Sequence, residues 1–248
     1  MKKAPLDIQS ITKKYGTRKV LDDVNLKLES GEIFGLIGLN GVGKTTLIKI
    51  ILDLLKADKG QIKLFGELQT IANSRRHLCY LPEKFMPSPY LKGHEFLSLS
   101  ASYYQRPYKK EQGMLLAESL DLDPNALQQK IARYSKGMGQ KLGLISAFLS
   151  ETPLLILDEP MSGLDPKARV YLKRVLQGYR DAGRTIFFSS HILADMEQIC
   201  DRIAVLHDGK IVFMGTPAVF KKQYLAKGKT LEETFLSVLE NLSKADAA

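Results

Sequence analysis

The chain has 248 residues, of which 44% are hydrophobic and 25% charged, and its formal net charge is +9. This length and composition suit a globular protein with a sizeable core. The longest apolar runs fall far short of the roughly 18 residues that a membrane span needs, and the lysines near the start precede no apolar stretch, so we expect neither a span nor a secretory signal.

The basic charge and the cysteines point to no special chemistry. The lysines occur as scattered pairs rather than as a basic stripe with interleaved aromatic residues, so nucleic-acid binding is not favoured. A positive surface does suit the negatively charged cytoplasmic leaflet of a membrane. Cys79 and Cys200 fit no metal or redox spacing, and we expect both to be buried, reduced thiols.

The first third of the chain shows mainly strand signals. Alternating polarity predicts half-buried strands in LDIQSITKKY and VLDDVNLKL, and a continuous apolar run predicts a buried strand in IFGLIG. Helical spacing follows in TLIKIILDLL, and the segment ADKG ends it. Two more strands are predicted in QIKLFG and HLCYLP.

After Pro82 the pattern becomes helical and then returns to strands. Helices are expected around residues 95–104 and 111–120, and we interpret residues 85–150 as a helical insertion. Strands are predicted in LLILD, TIFFSS and RIAVLHDG, with helices between them around residues 167–179 and 193–199. Thr216 is expected to cap a helix that begins at Pro217, and TLEETFLSVLENL predicts a last amphipathic helix. The alternation of strands and helices favours an α/β fold with a parallel sheet.

A glycine-rich segment lies between the third predicted strand and the first predicted helix. GLNGVGKT, residues 38–45, matches the pattern G-x-x-x-x-G-K-[ST] of a phosphate-binding loop. The backbone N–H groups of such a loop and of the following helix point at phosphate oxygens. The lysine reaches the β- and γ-phosphates, and the threonine hydroxyl is placed to bind Mg²⁺. The residues expected to bind nucleotide here are Asn40, Gly41, Gly43, Lys44, Thr45 and Thr46.

Two adjacent carboxylates follow the predicted strand LLILD. Asp158 and Glu159 would lie at the end of a parallel sheet, where such folds bind their ligands. Asp158 is expected to hold the metal, directly or through water, and Glu159 to act as the general base that polarises the attacking water. The alternative is that Asp-Glu-Pro only turns the chain, which the phosphate-binding loop makes less attractive.

These ordered motifs make the chain resemble the ATP-binding cassette family, the nucleotide-binding subunits of ABC transporters, over about residues 5–220. The resemblance implies an α/β fold: a P-loop NTPase parallel-sheet core with an antiparallel β subdomain and an inserted helical subdomain. The ATPase domain would occupy residues 1–229, with its helical subdomain at about 85–150. A C-terminal helix and tail would occupy residues 230–248.

The resemblance also assigns roles to residues that lie outside these two motifs. Tyr15 corresponds to the aromatic residue that stacks on adenine, although a strand-end tyrosine at a core edge is the alternative from the sequence alone. His191 corresponds to the switch histidine that contacts the γ-phosphate, and with Lys44 and Glu159 it completes the expected catalytic set. Asp165 corresponds to the residue that couples the two protomers of a dimer.

Two of the family's motifs depart from their common form. The signature stretch, usually leucine-serine-glycine-glycine-glutamine, is here YSKGM at residues 134–138. Ser135 and Gly137 remain, and a hydroxyl and a bare N–H at a helix start can bind the phosphate of the other subunit's ATP. Glu83 stands where the family usually has a glutamine. It can bind Mg²⁺, but it also brings negative charge near the γ-phosphate. Both variants resemble the export-type subgroup, whose permeases are separate polypeptides.

The expected function is therefore that of an ATP- and Mg²⁺-dependent ATPase subunit that drives transport, through separate integral membrane permease subunits, from the cytoplasmic face of the cell membrane. It would act as a homodimer, or as a heterodimer with a related cassette. One alternative is a cassette ATPase that acts on ribosomes or DNA, but such proteins typically carry two cassettes or a long coiled coil. A second is a regulatory binder without hydrolysis, which the presence of all four residues Lys44, Asp158, Glu159 and His191 disfavours.

Overall fold

The structure is a computed structural model that describes residues 3–224 together with Glu233, Phe235 and Ser237. Apart from those three residues, the predicted C-terminal helix and tail, 230–248, lie outside the described residues. The strands are β1 (Leu6–Tyr15), β2 (Arg18–Lys27), β3 (Ile33–Ile37), β4 (Lys59–Leu64), β5 (Glu67–Leu68), β6 (Leu78–Leu81), β7 (Leu154–Asp158), β8 (Thr185–Ser190), β9 (Arg202–His207) and β10 (Lys210–Gly215). The α-helices are α1 (Lys44–Ile51), α2 (Gly93–Tyr103), α3 (Lys110–Ser119), α4 (Lys136–Leu149), α5 (Pro166–Asp181), α6 (Leu193–Ile199) and α7 (Pro217–Tyr224).

The strands form two sheets, as expected from the sequence. The larger sheet has the order β10-β9-β3-β8-β7-β6 and is parallel except for β10. The smaller sheet is antiparallel and has the order β2-β1-β4-β5. The predicted α/β fold with a parallel core and an antiparallel sheet is confirmed.

The parallel sheet is buried on both faces, which explains why its strands are unbroken apolar runs. Side chains of β3 alternate between two core clusters: Ile33 and Ile37 pack with the helices α2 to α6, whereas Phe34 and Leu36 pack with α1 and the antiparallel sheet. β7 and β8 alternate in the same way. Because every parallel strand is fixed from both sides, the loops at their carboxyl ends start from a rigid edge.

The segment between β6 and β7 is helical, as the sequence predicts. α2 and α3 lie at the two expected positions, and α4 runs along both of them to β7. The Oγ atoms of Ser100 and Ser146 lie 2.6 Å apart and join α2 to α4. None of the helices within residues 3–224 combines the length and the hydrophobicity that crossing a bilayer requires.

Some element boundaries differ from the sequence-based expectation. α1 ends at Ile51 instead of continuing through residues 52–55, because the backbone turns there and Asp53 takes a left-handed φ of 59°. β10 was not predicted; it forms a hairpin with β9 across Asp208 and Gly209, both of which have positive φ. An Asp-Gly pair is the favoured sequence for this turn and was the available signal. The predicted cap of α7 is confirmed, since Val219 N donates to Thr216 Oγ1 at 3.2 Å.

Candidate functional site

A cleft of about 270 Å³ opens between the loop that joins β3 to α1 and the carboxyl ends of β6 and β7. It lies at the edge of the parallel sheet where ligands of such folds bind. The residues lining it are Leu39, Asn40, Gly41, Gly43, Lys44, Thr45, Thr46, Glu83 and Glu159. The six residues of the loop and helix start that the sequence assigns to nucleotide binding therefore share one cavity with two carboxylates.

The loop leaves the N-terminus of α1 open toward this cleft. Gly43 caps the helix with a φ of 117° and offers no side chain, and the first turn of α1 contains no acidic residue. A Cβ atom at Gly43 would lie 2.9 Å from the carbonyl oxygen of Val20, so only glycine fits this conformation. The first N–H groups of the helix thus have no side-chain acceptor and present positive charge to an anion.

Lys44 lies at the floor of the cleft and is 6% exposed. Its Nζ donates to the carbonyl oxygen of Gly38 at 2.7 Å and lies 3.2 Å from Glu159 Oε1. A buried ammonium needs such partners because leaving water is costly for a charge. The lysine is thereby fixed across the space between the loop and the end of β7.

Asp158 is held by two hydroxyl groups. Thr45 Oγ1 donates to Asp158 Oδ2 at 3.0 Å, and Ser189 Oγ donates to Asp158 Oδ1 at 2.5 Å. Ser189 also accepts a hydrogen bond from the backbone N–H of Glu159 at 3.1 Å. Ser189 was not singled out from the sequence; the available signal was the polar pair that ends the apolar strand TIFFSS beside LLILD.

Glu159 lies between a lysine and a histidine. It is 7% exposed, and its Oε2 lies 3.0 Å from His191 Nδ1, while Lys44 approaches its other oxygen. The residue adopts a left-handed φ of 49°, which is uncommon for a side chain with a Cβ atom. The backbone and both neighbours therefore aim this carboxylate at the cleft.

Glu83 reaches the cleft through the pairing of β6 with β7. Leu81, the last residue of β6, is opposite Leu157 of β7, so the segments that follow the two strands begin side by side, and Glu83 and Glu159 line the same cleft. Burial, followed by the negative charges of Asp158 and Glu83, raises the pKa of Tyr80 to about 12. The three carboxylates thus share one small region.

The oxygen atoms around Asp158 fit the chemistry of Mg²⁺. The hydroxyl of Thr45 and the carboxylates of Asp158 and Glu83 are hard donors of the kind that this ion prefers. Within the described part of the chain, no group of three or more histidine, cysteine or acidic residues could hold a metal by itself. Such a sparse set suits Mg²⁺, which is commonly bound by one or two carboxylates together with substrate phosphates.

Three other predicted residues lie outside the cleft lining. Ser135 caps α4, since Met138 N donates to Ser135 Oγ at 3.2 Å. A Cβ atom at Gly137 would lie 3.2 Å from the carbonyl oxygen of Gly163, so the start of α4 adjoins the loop before α5. Asp165 caps α5 by accepting from Ala168 N at 2.8 Å. The structure therefore places the signature residues beside the Asp165 loop and outside the lining of the cleft that contains Lys44.

Tyr15 ends β1 and is about half exposed, with the ammonium of Lys13 5.8 Å from the centre of its ring. Its partner in β2 is Arg18, two residues before Val20, whose carbonyl oxygen approaches Gly43. Tyr15 does not line the cleft, but it lies on the hairpin that contacts the phosphate-binding loop.

Gln140 is a further residue that the sequence analysis missed. It is 5% exposed on α4, and its Nε2 donates to the carbonyl oxygen of Pro160 at 3.1 Å. This bond connects the helix that begins at Ser135 to the residue directly after Glu159. In the sequence Gln140 lies between Gly139 and Lys141, and no local pattern there signals this contact.

Replacing Ser189 by alanine should lower the free energy of unfolding by about 1–3 kcal/mol, because Asp158 Oδ1 and the N–H of Glu159 both lose a buried partner. Urea denaturation measures this change. Ser102→Ala is the matched control, since its exposed hydroxyl donates only to Leu99 O, and its effect should stay within about 0.5 kcal/mol. Equal stabilities for the two variants would contradict this view of Ser189.

Comparison with known proteins identifies the family. The model of the ABC transporter family matches residues 21–162. The ABC-type transporter ATP-binding protein EcsA of Bacillus subtilis is 35% identical over 249 residues, which cover 98% of each chain. An uncharacterized ABC transporter ATP-binding protein of Nostoc sp. is 40% identical over 200 residues, 79% of this chain and 59% of that protein. The chain thus spans less than two thirds of this relative's length.

A solved structure agrees with these sequence relatives. It is described as that of an ATP binding subunit of an ABC transporter, and it superimposes with a TM-score of 0.83 at 34% identity. The match covers 94% of this chain and 98% of the other. With the phosphate-binding loop, the paired carboxylates and the two-sheet architecture all in place, the chain belongs to the ABC transporter family of ATP-binding proteins.

Proposed function

We propose that the chain binds and hydrolyses ATP as the nucleotide-binding subunit of a transporter whose permease is a separate membrane protein. The observation that carries this proposal is the position of the Lys44 ammonium, 3.2 Å from Glu159 in a cleft that also contains the open N-terminus of α1. A triphosphate in this cleft meets an ammonium and backbone N–H groups, with a candidate general base beside that ammonium.

The nucleotide binds mainly through its phosphates. The N–H groups around Gly41, Gly43 and the start of α1 surround the β-phosphate, and Lys44 exchanges part of its contact with Glu159 for the β- and γ-phosphates. Asn40 and Thr46 line the same space. Tyr15 stacks on the adenine from the neighbouring hairpin. Affinity in this proposal comes mainly from the phosphates, since Tyr15 lies on an exposed strand end.

Hydrolysis then depends on Glu159. Its carboxylate takes the proton of the attacking water, and His191, 3.0 Å away at Nδ1, holds that carboxylate in place and contacts the γ-phosphate. Thr45, Asp158 and Glu83 would hold Mg²⁺, which neutralises charge on the phosphoryl oxygens. Ser189 keeps Asp158 and the backbone of Glu159 in register with each other.

The active form is proposed to be a dimer. Ser135 and Gly137 do not line the cleft of their own chain, yet they form an open helix start of the kind that binds phosphate. In a head-to-tail homodimer, or a heterodimer with a related cassette, they close on the partner's nucleotide, and Asp165 lies in the loop beside them. ATP therefore joins the two copies, and its hydrolysis separates them.

The joining and separation of the two copies would drive integral membrane permease subunits at the cytoplasmic face of the cell membrane. The helical segment and the Glu83 loop are the proposed contacts, because they connect directly to the cleft through β6 and α4. Export is the proposed direction, on the ground of the YSKGM and Glu83 variants. The ATPase domain is proposed to span residues 1–229, with its helical subdomain at about 85–150.

Replacing Glu159 by glutamine tests the catalytic assignment. Hydrolysis should fall by about 10²–10⁴-fold, the usual contribution of a general base, while ATP binding persists. With ATP bound and uncleaved, the variant should also elute as a dimer. Phosphate release and size-exclusion chromatography measure the two effects. Glu118→Gln, an exposed change on α3, is the control and should behave like wild type. Undiminished turnover in Glu159→Gln would remove Glu159 from this role.

Purification of the tagged chain from detergent-solubilised membranes tests the partner. A membrane protein with several spans should co-elute at a fixed ratio to the chain, because the proposed work is done on a permease. Mass spectrometry of the eluate identifies it, and the tag alone serves as the control. Recovery of ribosomes or nucleic acid without a membrane protein would contradict the transporter assignment.

A further inference from the structure

The side chains of the cleft carry more negative than positive charge. Among the described residues that line it, Lys44 is the only cation, whereas Glu83 and Glu159 are carboxylates. Asp158 adds a third carboxylate directly behind Thr45. The ammonium of Lys44 therefore faces three carboxylates. A site for a highly charged anion is thus built with a net negative set of side chains.

Two of these carboxylates are compensated by their neighbours. Asp158 accepts hydrogen bonds from Thr45 and Ser189, and Glu159 lies between Lys44 and His191. Glu83 differs, because it is exposed at the mouth of the cleft and forms no hydrogen bond or ion pair with other described residues. Among the three carboxylates, Glu83 is therefore the one whose charge no other described residue compensates by direct contact.

The cation of the cleft is also partly engaged. Lys44 Nζ contacts Glu159 at 3.2 Å and the Gly38 carbonyl at 2.7 Å, so a phosphate reaches this ammonium in competition with a carboxylate. A metal-free triphosphate would meet Glu83 and Glu159 together at close range. A divalent cation bound to the triphosphate removes most of its repulsion from these two carboxylates. The metal-complexed nucleotide is therefore the form whose charge suits the cleft.

We infer that Glu83 makes the cleft selective for metal-complexed nucleotide over metal-free nucleotide. An amide at this position would keep the shape of the side chain and remove its charge, and so would weaken the discrimination. The inference rests on the proposed binding of ATP but concerns a separate quantity, the ratio of the affinities for the two forms. By linkage, the same residue raises the affinity of the nucleotide complex for the metal.

The test is calorimetric titration of the full chain with a nonhydrolysable ATP analogue, once with excess Mg²⁺ and once with EDTA, at constant ionic strength. The ratio of the metal-free to the Mg²⁺-bound dissociation constant should be about tenfold smaller in Glu83→Gln than in wild type. Glu83→Asp keeps the charge and should keep the wild-type ratio. Glu67→Gln, an exposed residue of β5 outside the cleft, removes the same charge and should leave the ratio unchanged.

The inference is overturned if Glu83→Gln keeps the wild-type ratio, if Glu83→Asp loses discrimination to the same extent as Glu83→Gln, or if Glu67→Gln lowers the ratio equally. Thermal melts without nucleotide show whether each variant is folded. Wild type that binds no analogue even with Mg²⁺ would instead contradict the proposed function, so the two failures are distinguishable.

Discussion

The ion pair between Lys44 and Glu159 is the interaction on which the site depends. Both groups are more than nine-tenths buried, and each is costly to bury without the other. Their contact joins the loop after β3 to the residue after β7, two strands that are separated in the sheet by β8. It therefore ties the loop to the end of β7 and places an ammonium and a candidate base side by side in the cleft.

The surrounding fold is arranged to hold this pair rigid. Burial on both faces fixes the parallel strands, so the loops that follow them begin at a rigid edge of the sheet. Ser189 on β8 then connects Asp158 to Glu159, and Gln140 connects the helix of the signature residues to Pro160. These short contacts connect the cleft to α4 and to the His191 loop, as the proposed coupling to a second copy and a permease would require.

Much of this arrangement could be read from local sequence patterns. The phosphate-binding loop and the two carboxylates are recognisable because each is a short motif that follows an apolar strand. The strands β3, β7 and β8 are recognisable because each is an apolar run too short for a buried helix. Ser189 and Gln140 escaped prediction because their partners depend on the pairing of β7 with β8 and on the packing of α4, which no local pattern encodes. The negative charge of Glu83 near the γ-phosphate was expected from the sequence, whereas the cleft that Glu83 shares with Lys44 and Glu159 depends on the pairing of β6 with β7.

The most direct measurement is the affinity of the Lys44→Met variant for Mg·ATP, compared with wild type by equilibrium titration. Methionine retains most of the length of the lysine side chain and removes its charge. We expect a loss of about a hundredfold or more in affinity, because the phosphates lose their only side-chain cation among the described residues of the cleft. An unchanged affinity in a variant that still melts as a folded protein would contradict the phosphate-binding role of Lys44.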